Sequence, residues 1–212
     1  MNIKEKIINI SRELFLSSGF SGTTVEDISS EFGMSKKTFY KIFTDKKTLL
    51  RVAIFSQINM TEAKVSKILA DRKTPLMERF KRLSETLIAS TLKITPVFIR
   101  DMKKNAPELW EEVSAKRKNL VLKYFTQVVD EGIESGVIRS DLDKKLVIII
   151  YLAAIENVIN PQVLSEMEYS VGEVFDVIIT MMFQGVLTDK GRKNLKELKK
   201  ASENNKTQKT LL

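Results

Sequence analysis

Apolar residues recur at three- and four-residue spacing along almost the whole chain, and this periodicity constrains the fold more than any other feature of the sequence. Such spacing places side chains on one face of a helix, whereas the period-two alternation that marks strands is scarce. Only four prolines and eight glycines interrupt the 212 residues. The sequence therefore predicts an all-α protein, long enough for a small domain followed by a larger one.

Missing residue types narrow the possible functions. The chain contains no cysteine and no histidine, which excludes thiolate and imidazole metal ligands and histidine-based acid–base catalysis. It also offers no glycine-rich phosphate loop and no nucleophile with a base. Carboxylate pairs such as Glu111-Glu112 lie in charged helical surroundings that are typical of a solvated surface. We therefore expect a protein that is not an enzyme and uses no cofactor.

The apolar runs are too short to span a bilayer, which needs roughly 18 apolar residues. The longest, residues 146–155, covers about ten residues and is followed by Glu156. The first six residues mix polar and apolar types, unlike the apolar core of a signal peptide. We expect a cytoplasmic protein without a membrane partner.

Short-range signals mark the helix boundaries in the first fifty residues. Gly19 is suited to end a first helix, and Thr24 with Asp27 three residues later forms a capping-box-like start for a second. Gly33 permits a positive φ in the next turn, and Ser35 is suited to cap a third helix that runs to residue 43. Two short helices, residues 25–32 and 36–43, thus follow an amphipathic helix, as in a helix-turn-helix motif.

Later helices are marked by acidic caps and prolines. Asp45 caps a long helix predicted over residues 46–70, and prolines open the next three. The predicted later helices begin at Pro75, at Pro96 (to residue 104) and at Pro107 (to residue 134), followed by helices over residues 141–160 and 170–187. We divide the chain into a DNA-binding domain (residues 1–50), a regulatory and dimerisation domain (51–189) and a basic tail expected to be disordered (190–212).

Charge is informative locally rather than globally. The net charge is +8, but residues 190–212 hold eight basic and two acidic residues, so the rest of the chain carries only +2. Residues 35–47, by contrast, hold five lysines against Asp45 alone, a compact footprint for a nucleic acid. The second short helix is therefore predicted to enter the major groove of DNA. The residues that suit contacts with base edges and phosphates are Thr24, Lys36, Lys37, Thr38, Tyr40, Lys41 and Lys46.

These residues also resemble the TetR/AcrR family of bacterial regulators, with a specific match over residues 3–50. The matching segments are Leu14-Phe15, Gly19-Phe20, Thr23 to Ile28, Gly33 to Lys36, Thr38 to Tyr40, Phe43 and Lys46. The resemblance implies phosphate contacts by Thr24 and Tyr40 and an anchoring role for Lys46 at the start of helix four. It implies that three further positions face bases or the DNA backbone: Lys36, Lys37 and Thr38.

Two positions depart from the family pattern. Ile42 stands where histidine or tyrosine is common, which removes a potential DNA contact, and Lys47 stands where glutamate is usual, which adds one. Each lysine also has an alternative interpretation as a solvated surface residue, Tyr40 as a core aromatic with a wet hydroxyl, and Thr24 as a helix cap alone.

Beyond residue 50 the resemblance is looser and concerns architecture. Residues 146–155 are apolar all round and the last long helix has a wide apolar face, so the two helices need cover that a second copy of the chain would provide. Candidate residues for an apolar ligand cavity are Phe80, Phe98, Met102, Trp110, Tyr124 and Tyr151. Ordinary core packing is the favoured interpretation of each of them.

Together these features predict a homodimeric transcriptional repressor that binds an inverted-repeat operator. A small apolar or aromatic effector would release it by favouring a dimer shape whose recognition helices no longer match the groove spacing. Two alternatives stay open: a transcriptional activator built on the same DNA-binding module, and a helical interaction protein without specific DNA binding.

Overall fold

The computed structural model describes residues 2–91, 94–158, 168–169 and 171–197. These residues are helical apart from turns, loops and one isolated antiparallel bridge between Ile138 and Leu187, which confirms the all-α prediction. The helices are α1 (Ile3–Ser18), α2 (Val25–Ser30), α3 (Lys36–Ile42), α4 (Lys46–Ala70), α5 (Leu76–Thr91), α6 (Pro96–Asn105), α7 (Pro107–Glu134), α8 (Lys144–Val158) and α9 (Val171–Val186).

Side-chain caps fix most of the early helix starts. The Asn2 side chain accepts from the Glu5 amide and Glu5 bonds back to Asn2, which closes a capping box on α1. Asp45 accepts from the Thr48 amide at 2.6 Å at the start of α4, and Thr95 caps α6, whose first residue is a proline. Because these signals are local, the predicted and observed starts agree closely.

Two predictions for the later chain need correction. Helix α8 begins at Lys144 rather than at residue 141 or 142, because the Asp143 carboxylate accepts from the Leu146 amide at 3.0 Å and acts as the cap. Residues 189–197 are helical, so the predicted disorder does not begin at residue 190. The Arg192 guanidinium donates to the Leu187 carbonyl at 2.7 Å and helps hold this segment. The predicted end of α8 near residue 160 and the tail from residue 198 lie outside the described residues.

The chain forms two compact units. The first comprises residues 1–63 and 89–119, and the second residues 64–88 and 120–212. The first unit therefore includes α6 and the beginning of α7 in addition to the three N-terminal helices, whereas the sequence alone suggested a boundary at residue 50. The boundaries of the DNA-binding and regulatory domains remain predictions.

The core of the first unit is aromatic and joins distant parts of the chain. Its buried members come from α1, α2, α3, α4 and α6 and the loops beside them. They are Ile7, Phe15, Leu16, Phe20, Ile28, Phe39, Phe43, Leu49, Leu50, Ala53, Phe98, Met102 and Ala106. Phe15 packs edge-on against Phe20 with ring centroids 5.8 Å apart. Burial of α6 side chains here ties α6 to the N-terminal helices.

The second unit has its own apolar core, which includes stacked rings of Phe125 and Tyr151 with centroids 3.9 Å apart. It also buries an arginine: Arg79 is 2% exposed and donates to the carbonyls of Leu69 and Thr74 and to both carboxylate oxygens of Glu131. A buried guanidinium is tolerated when its donors are paired in this way. None of the helices within the described ranges has the length and apolar character required to cross a membrane.

Candidate nucleic-acid interface

Helices α2 and α3 are joined by a tight turn that contains a glycine and two backbone hydrogen bonds. Gly33 has φ 58°, in the left-handed region that favours glycine, and its amide donates to the Ser30 carbonyl at 3.0 Å. The Met34 amide donates to the Ser29 carbonyl at 3.0 Å. Ile28 on α2 and Phe39 on α3 are completely buried. The two helices and turn thus form a rigid helix-turn-helix with one face in the core.

The start of α2 is closed by a reciprocal cap. The Asp27 carboxylate accepts from the Thr24 amide at 2.7 Å and from the Thr24 hydroxyl at 2.8 Å, while the Asp27 amide donates to the Thr24 hydroxyl oxygen at 3.0 Å. The hydrogen bonds from the Thr24 backbone and hydroxyl lower the pKa of Asp27. Thr24 is exposed, but its hydroxyl proton is already used, so its role as a phosphate contact remains a prediction.

Helix α3 presents polar and basic side chains to solvent. Ser35 caps it by accepting from the Thr38 amide at 3.1 Å, and Thr38 is exposed beside that cap. Lys37 and Lys41 are exposed and form no ion pair with any described residue. Tyr40 is 53% exposed, and its ring stands edge-on to that of buried Phe39 at 5.4 Å. The tyrosine is therefore a surface residue braced by the core, not a core aromatic.

Lys36 at the first position of α3 already has a partner. Its ammonium lies 2.7 Å from the Glu26 carboxylate on α2, and both side chains are largely exposed. The hydrogen bond and charge of Glu26 raise the pKa of Lys36. An exposed pair of this kind is weak, so Lys36 is free to exchange Glu26 for a phosphate or a base edge.

Lys46 points inward rather than into solvent. Its ammonium donates to the carbonyls of Phe20 at 2.9 Å and Thr23 at 2.8 Å and lies 4.4 Å from the centroid of the Phe20 ring. Burial lowers the pKa of Lys46, although the charges of Asp101 and Asp27 oppose that shift. The lysine thereby ties the start of α4 to the α1–α2 loop. Its predicted direct DNA contact is untested, but the anchoring role implied by the resemblance has a clear geometry.

A second tether on the same loop comes from α6. The Asp101 carboxylate accepts from the Ser21 amide and the Ser21 hydroxyl, each at 2.6 Å, and from the Asn105 side chain at 2.6 Å. At the start of α6, the Thr95 hydroxyl donates to the Leu16 carbonyl at 2.7 Å. The loop that leads into α2 is thus held by Lys46 and by Asp101. No sequence signal pairs residues this far apart.

Two further lysines lie at this surface. The sequence analysis did not name Lys4 as a DNA contact, and it named Lys47 only as a departure from the family pattern. The Lys4 ammonium lies 5.8 Å from the ring centroid of Phe43, which places the basic start of α1 beside the end of α3. Lys47 is exposed in the first turn of α4. Ile42, by contrast, is half-buried against the core of the first unit. Its apolar side chain extends that core instead of serving as a polar contact.

The six candidate ligand residues belong to two different cores. Phe98 and Met102 are buried in the first unit, with Trp110 packed against the same cluster, whereas Phe80, Tyr124 and Tyr151 are buried in the second. The Tyr124 hydroxyl lies 2.8 Å from that of Ser66, and burial raises the pKa of Tyr151. Core packing accounts for these positions, and ligand contact by any of the six remains a prediction.

Two pockets in the second unit differ in character. An open polar pocket of about 330 Å³ is lined by Arg72, Lys123, Thr126, Gln127, Asp130, Glu131 and Glu134. An enclosed apolar pocket lined by Phe125, Val128, Val129, Ile138, Val147, Met182 and Val186 has about 10 Å³, barely the space of one water. None of the six candidate ligand residues lines either pocket.

Residues 7–53 match the family model described as bacterial regulatory proteins of the tetR family. The HTH-type transcriptional regulator YerO of Bacillus subtilis (strain 168) is 43% identical over 68 residues, which are 32% of this chain and 24% of that protein. The HTH-type transcriptional repressor DhaR of Mycobacterium sp. (strain GP1) is 24% identical over 191 residues, which are 87% of this chain and 92% of that protein.

A solved structure of a transcriptional regulator has a similar fold. The structure of the transcriptional regulator FadR from Bacillus subtilis in complex with stearoyl-CoA has a TM-score of 0.66 at 17% identity and covers 85% of this chain and 98% of that one. The family match and the relatives together support a DNA-binding transcriptional regulator of the helix-turn-helix class. Over its N-terminal helices the chain is similar to the tetR family of bacterial regulatory proteins.

Proposed function

We propose that this protein is a homodimeric transcriptional repressor that binds an inverted-repeat operator and is released by a small-molecule effector. The observation that carries the proposal is the surface of α3, where Lys37, Tyr40 and Lys41 are exposed while Phe39 on the same helix is completely buried. A short helix fixed by its core and by its caps can present such side chains to a groove with little loss of conformational entropy.

The side chains divide by their expected partners. Lysines and hydroxyl groups at the rim of a recognition helix hold phosphates and set the register, whereas residues in its first turn reach base edges. We therefore assign Lys37 and Thr38 to the bases or the adjoining backbone and Tyr40, Lys41, Lys4 and Lys47 to phosphates. DhaR is named as a repressor, which favours repression over activation for this chain.

The dimer is argued from the second unit. Leu146, Ile149 and Ile150 on α8 and Val177 and Met181 on α9 are all more than half exposed, and α8 packs against α9. A cluster of large apolar side chains on two adjacent helices marks an interaction surface. A second copy related by a two-fold axis would cover the same surface on both chains and would place two recognition helices on successive turns of DNA.

Release by an effector follows the logic of linked equilibria. A small molecule weakens operator binding only if it binds more tightly to a dimer shape whose recognition helices do not fit the groove. The solved FadR structure holds stearoyl-CoA, which supports a small-molecule effector for a protein of this fold. Because the proposed protein must reach the chromosome, we place it in the cytoplasm.

The experiment that tests the proposal is a fluorescence-anisotropy titration of the purified protein against the DNA that flanks its own gene, repeated from about 50 to 300 mM salt. Specific binding should weaken steeply with salt because phosphate contacts release counterions. Lys37→Ala should weaken it roughly 5- to 150-fold, as expected for about 1–3 kcal/mol per base or phosphate contact. Tyr40→Phe should cost about fivefold through one hydroxyl contact.

The matched control is Lys67→Ala, which removes an equally exposed lysine from the second unit and should leave affinity unchanged. Scrambled DNA of the same length controls for non-specific attraction. Equal affinity for native and scrambled sequences, confirmed by selection from random DNA, would favour the alternative of a helical interaction protein. Activation instead of repression would appear as increased transcription from the bound promoter in a purified system.

A further inference from the structure

Glu26 places a negative charge beside the recognition helix α3. Its carboxylate lies 2.7 Å from the Lys36 ammonium at the first position of α3, and both side chains are more than half exposed. Of the other acidic residues in the helix-turn-helix, Asp27 is occupied by the cap with Thr24, and Glu31 follows the far end of α2. Glu26 is therefore the carboxylate that α2 presents to the start of α3.

Glu26 and Lys36 are carried by a fixed backbone. A completely buried residue follows each of them within one helical turn, Ile28 after Glu26 and Phe39 after Lys36. Among the residues that the structure describes, Lys36 is the one partner of the Glu26 carboxylate. The two side chains thus form a unit at the predicted DNA surface, with an N–H donor and a carboxylate acceptor side by side.

This unit is poorly matched to a phosphate, which offers acceptors only. Lys36 can donate to a phosphate oxygen, but the Glu26 carboxylate then meets a like charge and finds no donor. Glu26 also holds Lys36 in an exposed ion pair, and breaking such a pair weakens binding by up to about fivefold. The carboxylate therefore lowers the attraction of this surface for DNA of any sequence.

The major-groove edge of a G·C base pair matches the unit better. Guanine presents the acceptors O6 and N7 there, and cytosine presents the N4 amino donor. Because a Watson–Crick hydrogen bond joins O6 and N4, the two atoms lie about 3 Å apart, close to the 2.7 Å between the charged groups of Lys36 and Glu26. Lysine with guanine and glutamate with cytosine are also the favoured pairings of these side chains.

An A·T base pair fits less well. It also carries a donor beside an acceptor, since adenine N6 is paired with thymine O4. The thymine acceptor is flanked by a methyl group, however, whereas guanine O6 is flanked by the second acceptor N7. Lys36 would therefore lose one hydrogen bond on an A·T pair.

We propose that Glu26 is a specificity-determining residue that reads a G·C base pair of the operator together with Lys36 and lowers the affinity for other DNA. Cytosine donates to the carboxylate, and guanine accepts from the ammonium. This inference rests on the proposed function, because it names a base pair that the DNA-binding surface recognises. It adds to that surface a residue outside α3.

Selection of half-sites from random DNA by the full-length protein, followed by anisotropy titration, tests the inference. The selected half-site should contain a G·C pair whose replacement by A·T weakens wild-type binding roughly 5- to 150-fold. Glu26→Ala should reduce this discrimination about fivefold or more at that pair alone. On scrambled DNA, the same variant should bind up to about fivefold more tightly. The slope of log K against log salt should steepen by about 0.9, because one more positive charge faces the phosphates.

Glu31→Ala is the matched control, since it makes the same change of charge at an exposed glutamate beyond the other end of α2. It should leave the discrimination and the salt slope as in the wild type. Thermal unfolding of Glu26→Ala should stay within a few degrees of the wild type, because an exposed ion pair contributes little to stability. Changes in DNA binding then report on the interface and not on loss of the fold.

Two results would overturn the inference: wild-type discrimination at every base pair by Glu26→Ala, or wild-type affinity and salt slope of this variant on scrambled DNA. The same selection separates this inference from the proposed function. A selected half-site that is read equally well without Glu26 would reject the inference alone. A wild-type protein that selects no sequence would reject the specific regulator and the inference with it.

Discussion

The carboxylate of Asp101 connects two segments that lie 80 residues apart in the chain, since it accepts the amide and the hydroxyl of Ser21. Burial opposes its ionisation and is the largest single influence on its pKa, but the hydrogen bonds from Ser21 and Asn105 together outweigh burial, so the pKa is lowered. A carboxyl group with a lowered pKa in the folded state stabilises that state above its unfolded pKa. This contribution is lost as the pH falls through the folded pKa.

We predict that Asp101→Asn lowers the free energy of unfolding by about 1–2 kcal/mol at neutral pH, because an amide cannot accept both Ser21 donors as a carboxylate does. The stability of the variant should also fall less steeply than that of the wild type below about pH 4. Urea titrations between pH 3 and 7 measure both effects. Asp141→Asn, which breaks an exposed pair with Arg139, should cost under about 1 kcal/mol. Parallel pH curves for Asp101→Asn and wild type would contradict the prediction.

Operator affinity gives a second readout of Asp101. Ser21 lies in the loop that leads into α2, and this loop is also held by Lys46. Loosening it increases the freedom of the α2 start that precedes the recognition helix. Asp101→Asn should therefore weaken operator binding several-fold at temperatures where the variant is fully folded, and Asp141→Asn should not. Undiminished affinity would confine Asp101 to a purely structural role.

At the scale of elements, the turn between α2 and α3 requires a positive φ at Gly33. A Cβ atom built at Gly33 meets nothing within 4 Å. A larger residue would therefore destabilise the folded state only through the strain of a positive φ. We predict that Gly33→Ala lowers the free energy of unfolding by about 1–2 kcal/mol, and that Gly33→Asn costs less because asparagine tolerates this conformation. Urea denaturation measures both. Equal losses for the two variants would show that steric contact, not backbone conformation, determines the cost.

Elements whose ends are encoded locally could be predicted from the sequence. Thr24 with Asp27, Ser35, Asp45 and the prolines each act within four residues, so the starts of α2, α3, α4, α6 and α7 follow from short-range hydrogen bonding. The exposed face of α3 follows from helical periodicity in the same way. Local signals of this kind define most of the fold and most of the candidate interface.

Tertiary pairings could not be predicted by these means. The tethers from Lys46 and Asp101 to the α1–α2 loop involve backbone carbonyls and a serine that carry no distinctive pattern. Aromatic residues likewise show that a position is buried but not in which core, so the six candidate ligand residues divided between two units.

At the scale of the whole molecule, the exposed apolar cluster on α8 and α9 predicts the oligomeric state. Met181 is 70% exposed within the isolated chain, and an aspartate there would place a charge in the proposed interface. We predict a dimer for the wild type at micromolar concentration and a folded monomer for Met181→Asp, measured by sedimentation velocity. Burying an unpaired carboxylate costs several kcal/mol, enough to dissociate an interface of this kind.

Leu122→Asp is the control, since Leu122 is a partly exposed leucine on α7 and its replacement should leave the dimer intact. The monomeric variant should also lose affinity for the full inverted repeat and bind it no better than a single half-site, because the second recognition helix is no longer linked to the first. A wild-type monomer, or a Met181→Asp dimer, would reject the proposed interface.

The burial of Phe98, Met102 and Ala106 against the N-terminal helices has a consequence for protein engineering. Hybrid regulators are made by fusing the DNA-binding domain of one protein to the ligand-binding domain of another. The family match, which ends at residue 53, suggests a fusion point after that residue. A DNA-binding domain that ended there would lack the core side chains that α6 supplies and the Asp101 carboxylate that accepts hydrogen bonds from Ser21. A transplant from this chain should therefore carry α6 and the start of α7 as well, as two separate stretches of sequence inserted together.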